Sequence, residues 1–345
     1  MTLSRRARRE WRIFLWVSLT SAAVSAWFSY RVTPDGYPLL RSALSGVLTS
    51  LVIATPIFLF LIKGERAGRL RRLRRLPLAL YFALKILFYF VVIVGGLMVA
   101  RYFFWIEVPD TFFAIDDVFR RSVVFAIVMS VVGSLTFDMT ALLGFGTLKN
   151  LLTGRYVQPK REQRAFLLID MKDSTGVAER LGPVRFHELL NDFFRDLADA
   201  ALECEAEIHK YVGDEAILTW SGGDALADGD CLRCPFAALD FIERHRASYL
   251  ARFGAVPAFR ASLHYGEIVA GEIGDVRREI AYVGDTLNVA ARLLEAAKEL
   301  RRDVLVSDDL LAQAPPPPGL TVEKLPTLTV RGRAQPLAIS ALTRV

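Results

Sequence analysis

The stretch HKYVGDEAILTW, residues 209–220, decides the fold of the C-terminal half of this chain. Hydrophobic residues flank Gly213-Asp214 on both sides, in a pattern that predicts two short strands joined by a tight turn. The turn carries an anion, Asp214, and the strand before it carries a cation, Lys210. An exposed lysine beside an ordinary turn is the simplest interpretation of these residues alone, so the surrounding elements decide whether the two charges have a function.

The elements around this hairpin alternate irregularly between strand and helix, and several of the strands pair as hairpins. This order favours an α+β sandwich with a mixed or antiparallel sheet over a doubly wound parallel sheet. The predicted strands, besides the hairpin, are AFLLID (165–170), two strands within 257–274, DVLVS (303–307) and one strand on each side of RGRAQP (331–336). The predicted helices cover about 174–203, 231–252 and 285–300.

The N-terminal half of the chain is much more apolar than the C-terminal half. Four stretches, each about long enough to cross a hydrocarbon core as a helix, predict a transmembrane domain over residues 1–148. The spans are expected at about 12–31, 42–62, 77–106 and 120–148. Buried helices of a soluble protein are the alternative, but four such stretches in a row are rare outside membranes.

Three charged residues interrupt the third and fourth apolar stretches, namely Lys85, Arg101 and Asp138. Charges inside membrane spans are costly, and they are therefore candidates for a functional role. A side chain that reaches the lipid headgroups, or a span boundary placed too far along the chain, explains Arg101 equally well.

The charges of the loops predict the orientation of these spans. Five arginines lie among the first twelve residues and seven basic residues lie in the loop after the second span, whereas the loop after the third span is mainly acidic. Positive loops stay in the cytoplasm. We therefore expect a multi-pass protein of the cell inner (plasma) membrane, with no cleaved signal peptide and with the N-terminus and residues 165–345 in the cytoplasm. The net charge of +6 then indicates contact with the anionic headgroups of a lipid bilayer rather than with nucleic acid.

The cysteines and histidines exclude two further classes of site. Cys231 and Cys234 form a CxxC pair, but a zinc site needs a second pair of ligands, so a structural role is expected for the three cysteines. All four histidines lie outside the predicted spans. The membrane helices therefore hold no bis-histidine haem.

Charged residues at the ends of the predicted strands suggest a site for phosphate chemistry. Asp170 closes a buried strand and Asp214 lies in the hairpin turn, and two carboxylates brought together suit Mg²⁺. Asp173 is an alternative ligand in a less constrained loop. Asn288 and Arg292 are four residues apart on a predicted helix, so they share a face that either binds a phosphate or sugar or is simply solvated.

Five motifs together resemble the class III adenylate/guanylate cyclase catalytic domain over about residues 163–343. They are FLLIDMKDST (166–175), KYVGDE (210–215), LHYGEIVAGEIG (263–274), GDTLNVAARL (284–293) and VRGR (330–333), in the order that the family has them. Residues 149–164, which join the spans to this region, look like the juxtamembrane connector of membrane-anchored bacterial members. The resemblance predicts a cytoplasmic catalytic domain over residues 165–345 with the class III nucleotidyl cyclase fold.

The resemblance also implies roles for individual residues. Members of the family work as head-to-tail homodimers with two sites at the interface, so Lys210 and Asp214 are expected to serve different sites. Asp170 and Asp214 are the expected ligands of two Mg²⁺ ions per site, for which Mn²⁺ can substitute. Asn288 and Arg292 are the expected catalytic residues, and Lys210 and Arg331 are expected to bind the purine and the outer phosphates of the substrate.

The nucleobase can be inferred from hydrogen-bonding chemistry. Adenine N1 accepts a hydrogen bond and guanine N1 donates one, so Lys210 favours ATP, and the expected reaction is ATP to 3′,5′-cyclic AMP and pyrophosphate. Adenylate cyclases usually place Asp or Thr at the position of Ala281 to meet the adenine amino group, so this chain departs from the family there. A guanylate cyclase, a catalytically inactive cyclase-like sensory or binding module, and, from GGDA (222–225), a diguanylate cyclase are the alternatives.

Overall fold

The computed structural model describes residues 5–32, 38–62, 76–104, 117–143, 150–151, 153–222, 226, 228–276, 278–329 and 336–345. Two compact units make up the chain. The first contains the N-terminal helices up to Leu143, and the second contains the residues from Gly144 to Val345.

The described residues of the N-terminal unit form four long helices, α1 (Arg5–Val32), α2 (Leu39–Ile62), α3 (Leu78–Phe104) and α4 (Asp117–Leu143). Among the described residues, three of them contain a stretch long and apolar enough to cross a membrane, namely Leu39–Phe60, Leu80–Ala100 and Asp117–Thr136. The span expected on α1 is not among these three. Three apolar helices of this length indicate that the protein associates with a membrane.

An ion pair joins α3 to α4. Lys85 of α3 is buried, and its Nζ lies 3.0 Å from Oδ2 and 3.2 Å from Oδ1 of Asp138 on α4. Ser134 donates a further hydrogen bond of 3.4 Å to the same carboxylate. Because each charge would be costly alone in an apolar environment, the pair fastens the two helices together. The side chain of Arg101 lies outside the described part of the chain.

A single mixed sheet of eight strands is the centre of the second unit. The strands follow the spatial order β2-β3-β1-β4-β6-β8-β7, with β5 paired to β4, and among the described strands only the β4–β6 pair is parallel. The strands are β1 (Lys160–Met171), β2 (Glu207–Val212), β3 (Glu215–Ser221), β4 (Phe259–Ile273), β5 (Glu279–Val283), β6 (Val304–Ser307), β7 (Leu320–Leu328) and β8 (Leu337–Arg344). The helices are α5 (Ser174–Glu203), α6 (Asp230–Arg244), α7 (Arg246–Phe253), α8 (Asp285–Glu299) and α9 (Asp308–Gln313). The expected α+β fold is confirmed.

Both faces of this sheet are covered, as the alternation of side chains along β1 shows. Leu167 and Ile169 belong to the core that the sheet shares with α5, α6, α7 and α9. Phe166 and Leu168 point to the opposite face, where they pack in one cluster with Ala290 of α8. Since side chains alternate along a strand, Asp170 continues the face of Phe166 and Leu168, on the side of α8.

Three expectations about element boundaries are wrong. Residues 257–274 contain one strand, β4, and not two, because Gly266 adopts no turn conformation. Gly266 instead leaves room for Thr286, whose Oγ1 would lie 2.7 Å from a Cβ at that position. β1 begins at Lys160, inside the expected connector, because Lys160 pairs with Ala270 of β4. The expected helix 231–252 is two helices that separate at His245.

Candidate active site

The hairpin of β2 and β3 has a two-residue turn. Val212 pairs with Glu215, so Gly213 and Asp214 alone connect β2 to β3. Gly213 has a φ of 61°, a conformation that glycine adopts without the strain that a side chain would bring. Glycine therefore makes this tight turn possible, and the turn holds Asp214 at the tip of the hairpin.

The end of β1 lies beside this tip. Asp170 pairs with Glu215 across the β1–β3 ladder. Burial raises the pKa of the Asp170 carboxyl, and the negative charge of Asp214 raises it further, while Lys298 and Arg260 act in the opposite direction. Asp170 and Asp214 are therefore close neighbours. In the part of the chain that the structure describes, neither carboxylate forms an ion pair with a basic side chain.

Glu215 adds a third carboxyl group that the sequence analysis did not assign. Burial raises its pKa to about 7, and the charges of Asp170 and Asp214 contribute to the same shift. The sequence does place Glu215 directly after Asp214. As the first residue of β3, Glu215 lies opposite Asp170 of β1. The site therefore contains three neighbouring carboxyl groups, Asp170, Asp214 and Glu215, instead of the two expected aspartates.

These residues suit a bound divalent cation. Two carboxylates that repel each other and form no ion pair with a described basic side chain are stabilised when a hard cation such as Mg²⁺ lies between them. Among the described residues, no group of three or more His, Cys, Asp or Glu side chains is arranged to hold a metal by itself. Asp170 and Asp214 therefore fit as a partial ligand set, of the kind that Mg²⁺ completes with water and phosphate oxygens.

Asp173, the alternative ligand, has a different environment. It precedes the first residue of α5 with a left-handed φ of 53°. Its carboxylate lies against Gly176 in the first turn of that helix, where a Cβ would come within 2.6 Å of its Oδ1. Burial raises the pKa of Asp170, and the charge that raises it further comes from Asp214. Asp214 is therefore the better candidate than Asp173 for a ligand beside Asp170.

Lys210 lies on β2 and reaches towards β5. Its Nζ is 3.7 Å from Oε2 of Glu279, and both side chains are about half exposed. The preceding residue, His209, lies at a register shift of β2, and the centre of its ring is 4.5 Å from that of Tyr282 on β5. Strand β5, which the sequence analysis did not predict, therefore forms one wall of the region around Lys210.

A buried arginine, Arg164, packs against Tyr282 of β5. Arg164 is 1% exposed, and its guanidinium lies 4.8 Å from the ring centre of Tyr282. It donates hydrogen bonds of 3.1 Å to Glu162, 3.3 Å to Glu207 and 3.0 Å to the hydroxyl of Tyr156. Tyr156, itself fully buried, belongs to the segment that precedes β1. Through Arg164, the network thus links the segment that precedes β1 to β5, the strand beside Lys210.

The remaining expected site residues lie on α8 or beyond the described residues. Asn288 and Arg292 are both exposed and share a face of α8, and Arg292 Nη1 donates a 2.7 Å hydrogen bond to Glu295. In the described ranges, no hydrogen bond or ion pair connects Asn288 or Arg292 with Asp170, Asp214 or Lys210. One chain thus brings the acids together, while Asn288 and Arg292 form no hydrogen bond or ion pair with them in the described ranges. Arg331 lies outside the described residues.

Comparison with protein families gives a match to the adenylate and guanylate cyclase catalytic domain over residues 157–338. Adenylate cyclase 2 of Rhizobium meliloti (strain 1021) is 45% identical over 202 residues, which are 59% of this chain and 56% of that protein. Adenylate cyclase 1 of the same organism is 26% identical over 158 residues, which are 44% of this chain and 24% of that protein. The chain thus spans about half of the first relative and a quarter of the second.

Solved structures share the fold. A bacterial light-regulated adenylyl cyclase superposes with a TM-score of 0.51 over 63% of this chain and 64% of that one, at 16% sequence identity. At this identity the similarity concerns the fold alone. The family match agrees with the resemblance that the five motifs indicated and leaves no support for a diguanylate cyclase, although GGDA (222–225) lies mostly outside the described residues.

Proposed function

Because this chain belongs to the family of adenylate and guanylate cyclase catalytic domains, we propose that it is a membrane-anchored adenylate cyclase that converts ATP to 3′,5′-cyclic AMP and pyrophosphate. The observation that carries the proposal is the juxtaposition of Asp170 and Asp214, which form no ion pair with a basic side chain among the described residues, at a hairpin that also bears Lys210. The 45% identity with a protein named adenylate cyclase 2 supports ATP as the substrate.

Asp170 and Asp214 are the residues that would hold two Mg²⁺ ions, or Mn²⁺ in their place. When bound, such ions supply Lewis acidity that lowers the pKa of the ribose 3′-hydroxyl and offsets the charge of the triphosphate. The chain's own contribution is to fix the two carboxylates at the end of β1 and at the tip of the hairpin. Glu215 adds a third carboxyl group beside these two, and burial together with the charges of Asp170 and Asp214 raises its pKa to about 7 when no cation is bound.

The residues of α8 act on the reacting part of the nucleotide. The 3′-oxygen attacks the α-phosphorus and pyrophosphate leaves, so negative charge grows on the α-phosphoryl oxygens in the transition state. Arg292 offsets this charge, and Asn288 orients the ribose by hydrogen bonds to its hydroxyls. Arg292 leaves its partner Glu295 to do so, which its exposed position allows. Arg331 binds the outer phosphates.

The active enzyme is a homodimer whose two sites lie at the interface. Among the described residues of one chain, no hydrogen bond or ion pair joins the acids of β1 and the hairpin to Asn288 or Arg292, and a site shared between two chains would combine the two groups. Exposed apolar side chains surround the hairpin and the β4–β5 pair, and a second copy would cover them. They are Tyr211, Val212, Ile273, Val276 and Val283.

The N-terminal unit anchors the enzyme in the lipid bilayer of the cell inner membrane. Its orientation follows from the basic residues near the N-terminus and after the second span, which place the N-terminus and the catalytic unit in the cytoplasm. Tight association with nucleic acid is not expected, since the basic clusters adjoin the apolar helices.

A membrane-fraction assay tests the proposal. Membranes containing the full chain are incubated with ATP or GTP, each with Mg²⁺ or Mn²⁺, and the cyclic product is measured. We expect cyclic AMP from ATP and much less cyclic GMP. A preference for GTP would identify a guanylate cyclase, and no cyclic product under any of these conditions would identify an inactive binding module.

A further inference from the structure

Strand β5 presents two different faces. Ile280 and Tyr282 pack into the cluster that contains Phe166 of β1. Because side chains alternate along a strand, Glu279 and Ala281 belong to the opposite face. The methyl group of Ala281 offers no hydrogen bond to a ligand, so Glu279 is the hydrogen-bonding side chain of that face.

Glu279 lies beside Lys210. The Lys210 Nζ and the Glu279 Oε2 are 3.7 Å apart, and the two side chains are 52% and 47% exposed. An exposed ion pair adds little to the stability of a protein. Both groups can therefore turn towards a ligand with little loss of stability, and together they offer one donor and one acceptor next to each other.

The edge of adenine requires this combination. Its N1 accepts a hydrogen bond, and its neighbouring 6-amino group donates one. We propose that Glu279 determines nucleobase specificity by accepting a hydrogen bond from the 6-amino group of ATP while Lys210 donates to N1. The proposal rests on the proposed function, because it assigns a further residue to the same nucleotide site.

Guanine fits this pair poorly in the same position. Its O6 is an acceptor and would face the Glu279 carboxylate, and its N1–H is a donor and would face the Lys210 ammonium group. Two unfavourable contacts would replace two favourable ones. Glu279 thereby supplies the acceptor that Ala281 cannot supply.

The test compares ATP with purine riboside 5′-triphosphate, which carries hydrogen in place of the 6-amino group. The full chain in membranes is assayed for kcat/KM with both nucleotides, as the unaltered protein and as Glu279→Ala. A hydrogen bond to a charged acceptor gives about a 10- to 100-fold preference for ATP. We expect this preference in the unaltered chain and its loss in Glu279→Ala, with activity reduced on ATP and nearly unchanged on the analogue.

Two further variants sharpen the comparison. Glu279→Gln keeps an acceptor oxygen, so most of the preference for ATP is expected to remain. Glu323→Ala is the matched control, because Glu323 is also a half-exposed glutamate on a strand and is paired with Arg302. It is expected to leave both activities unchanged. If Glu279→Ala retains the full preference, or loses activity equally on both nucleotides, Glu279 does not contact the amino group and the inference is wrong.

A binding measurement separates this inference from the proposed function. Both triphosphates are used to displace a fluorescent ATP analogue from the full chain, which reports base recognition even where no cyclic product forms. Discrimination in displacement that Glu279→Ala removes, without turnover by the unaltered chain, would support the inference and reject the proposed function. Discrimination that Glu279→Ala leaves intact, or its absence from the unaltered chain, would reject the inference whatever the turnover.

Discussion

His209 is expected to make the catalytic unit sensitive to acid. Burial, together with repulsion from Lys210 and Arg164, lowers the pKa of His209 from 6.5 to about 4, and Glu279 partly opposes this shift. The ring lies beside Tyr282 in a region with two cationic neighbours, which explains why the charged imidazolium is disfavoured. The folded protein therefore keeps His209 neutral at pH values where the unfolded chain is already protonated.

The sign and size of the effect follow from this difference. Because the pKa is lower in the folded state, the stability it provides is complete above pH 6.5 and is lost as the pH falls towards about 4. The difference between the two values corresponds to about 3 kcal/mol. Solvent contact of the partly exposed ring reduces the expected loss to about 2 kcal/mol.

Urea unfolding of the purified full chain in a neutral detergent, followed by circular dichroism between pH 4 and 8, measures this loss. His209→Phe keeps an aromatic ring against Tyr282 and removes the titrating group, so its free energy of unfolding is expected to fall about 2 kcal/mol less over the same pH range. His187→Phe is the matched control, because His187 is an exposed histidine on α5. If His209→Phe and the unaltered protein lose the same stability on acidification, the proposed origin of the acid sensitivity is wrong.

Three further predictions concern the metal ligands, the buried arginine and the membrane topology. Asp170→Ala or Asp214→Ala is expected to lower cyclic AMP formation at least about 100-fold while the catalytic unit stays folded; near-normal activity of either variant at normal expression would remove the two-metal assignment. Arg164→Ala is expected to lower the free energy of unfolding in urea by about 2 kcal/mol, because it removes a buried side chain that packs on Tyr282 and takes one hydrogen-bond partner from the buried Tyr156 hydroxyl; a loss below about 0.5 kcal/mol would show that the network is not structural. A reporter fused after Thr111 is expected outside the cytoplasm and one after Arg72 inside it, and the reverse pattern would contradict the argument from loop charge.

The order of elements could be predicted from sequence wherever local pattern determined it. The Gly213-Asp214 turn, the strand that ends in Asp170 and the helix that carries Asn288 and Arg292 all follow from short-range signals in the chain. Gly266 does not mark a turn, because a glycine in a strand pattern either ends the strand at a turn or makes space for a neighbouring element. Here it provides space for Thr286 in another element, which a single sequence does not reveal.

The parts of the site that could not be predicted depend on contacts between distant segments. The stretch EIAYV (279–283) forms strand β5 through its pairing with β4, and the sequence of these five residues does not reveal that pairing. The positions of Glu279 beside Lys210 and of Arg164 behind Tyr282 both depend on this pairing. The cluster of three carboxyl groups likewise depends on the register between β1 and β3.

The measurement that tests the central claim most directly is co-expression of Asp214→Ala with Arg292→Ala. The first variant lacks a metal ligand but retains Arg292, and the second lacks the phosphate-binding arginine but retains Asp214. If two chains share each site of a two-fold dimer, a mixed dimer has one complete site and one doubly impaired site. With random pairing roughly half of the dimers are mixed, so cyclic AMP formation is expected to return to about a quarter of the unaltered level. Mixed dimers that form but produce no cyclic AMP above the separate variants would contradict the shared site.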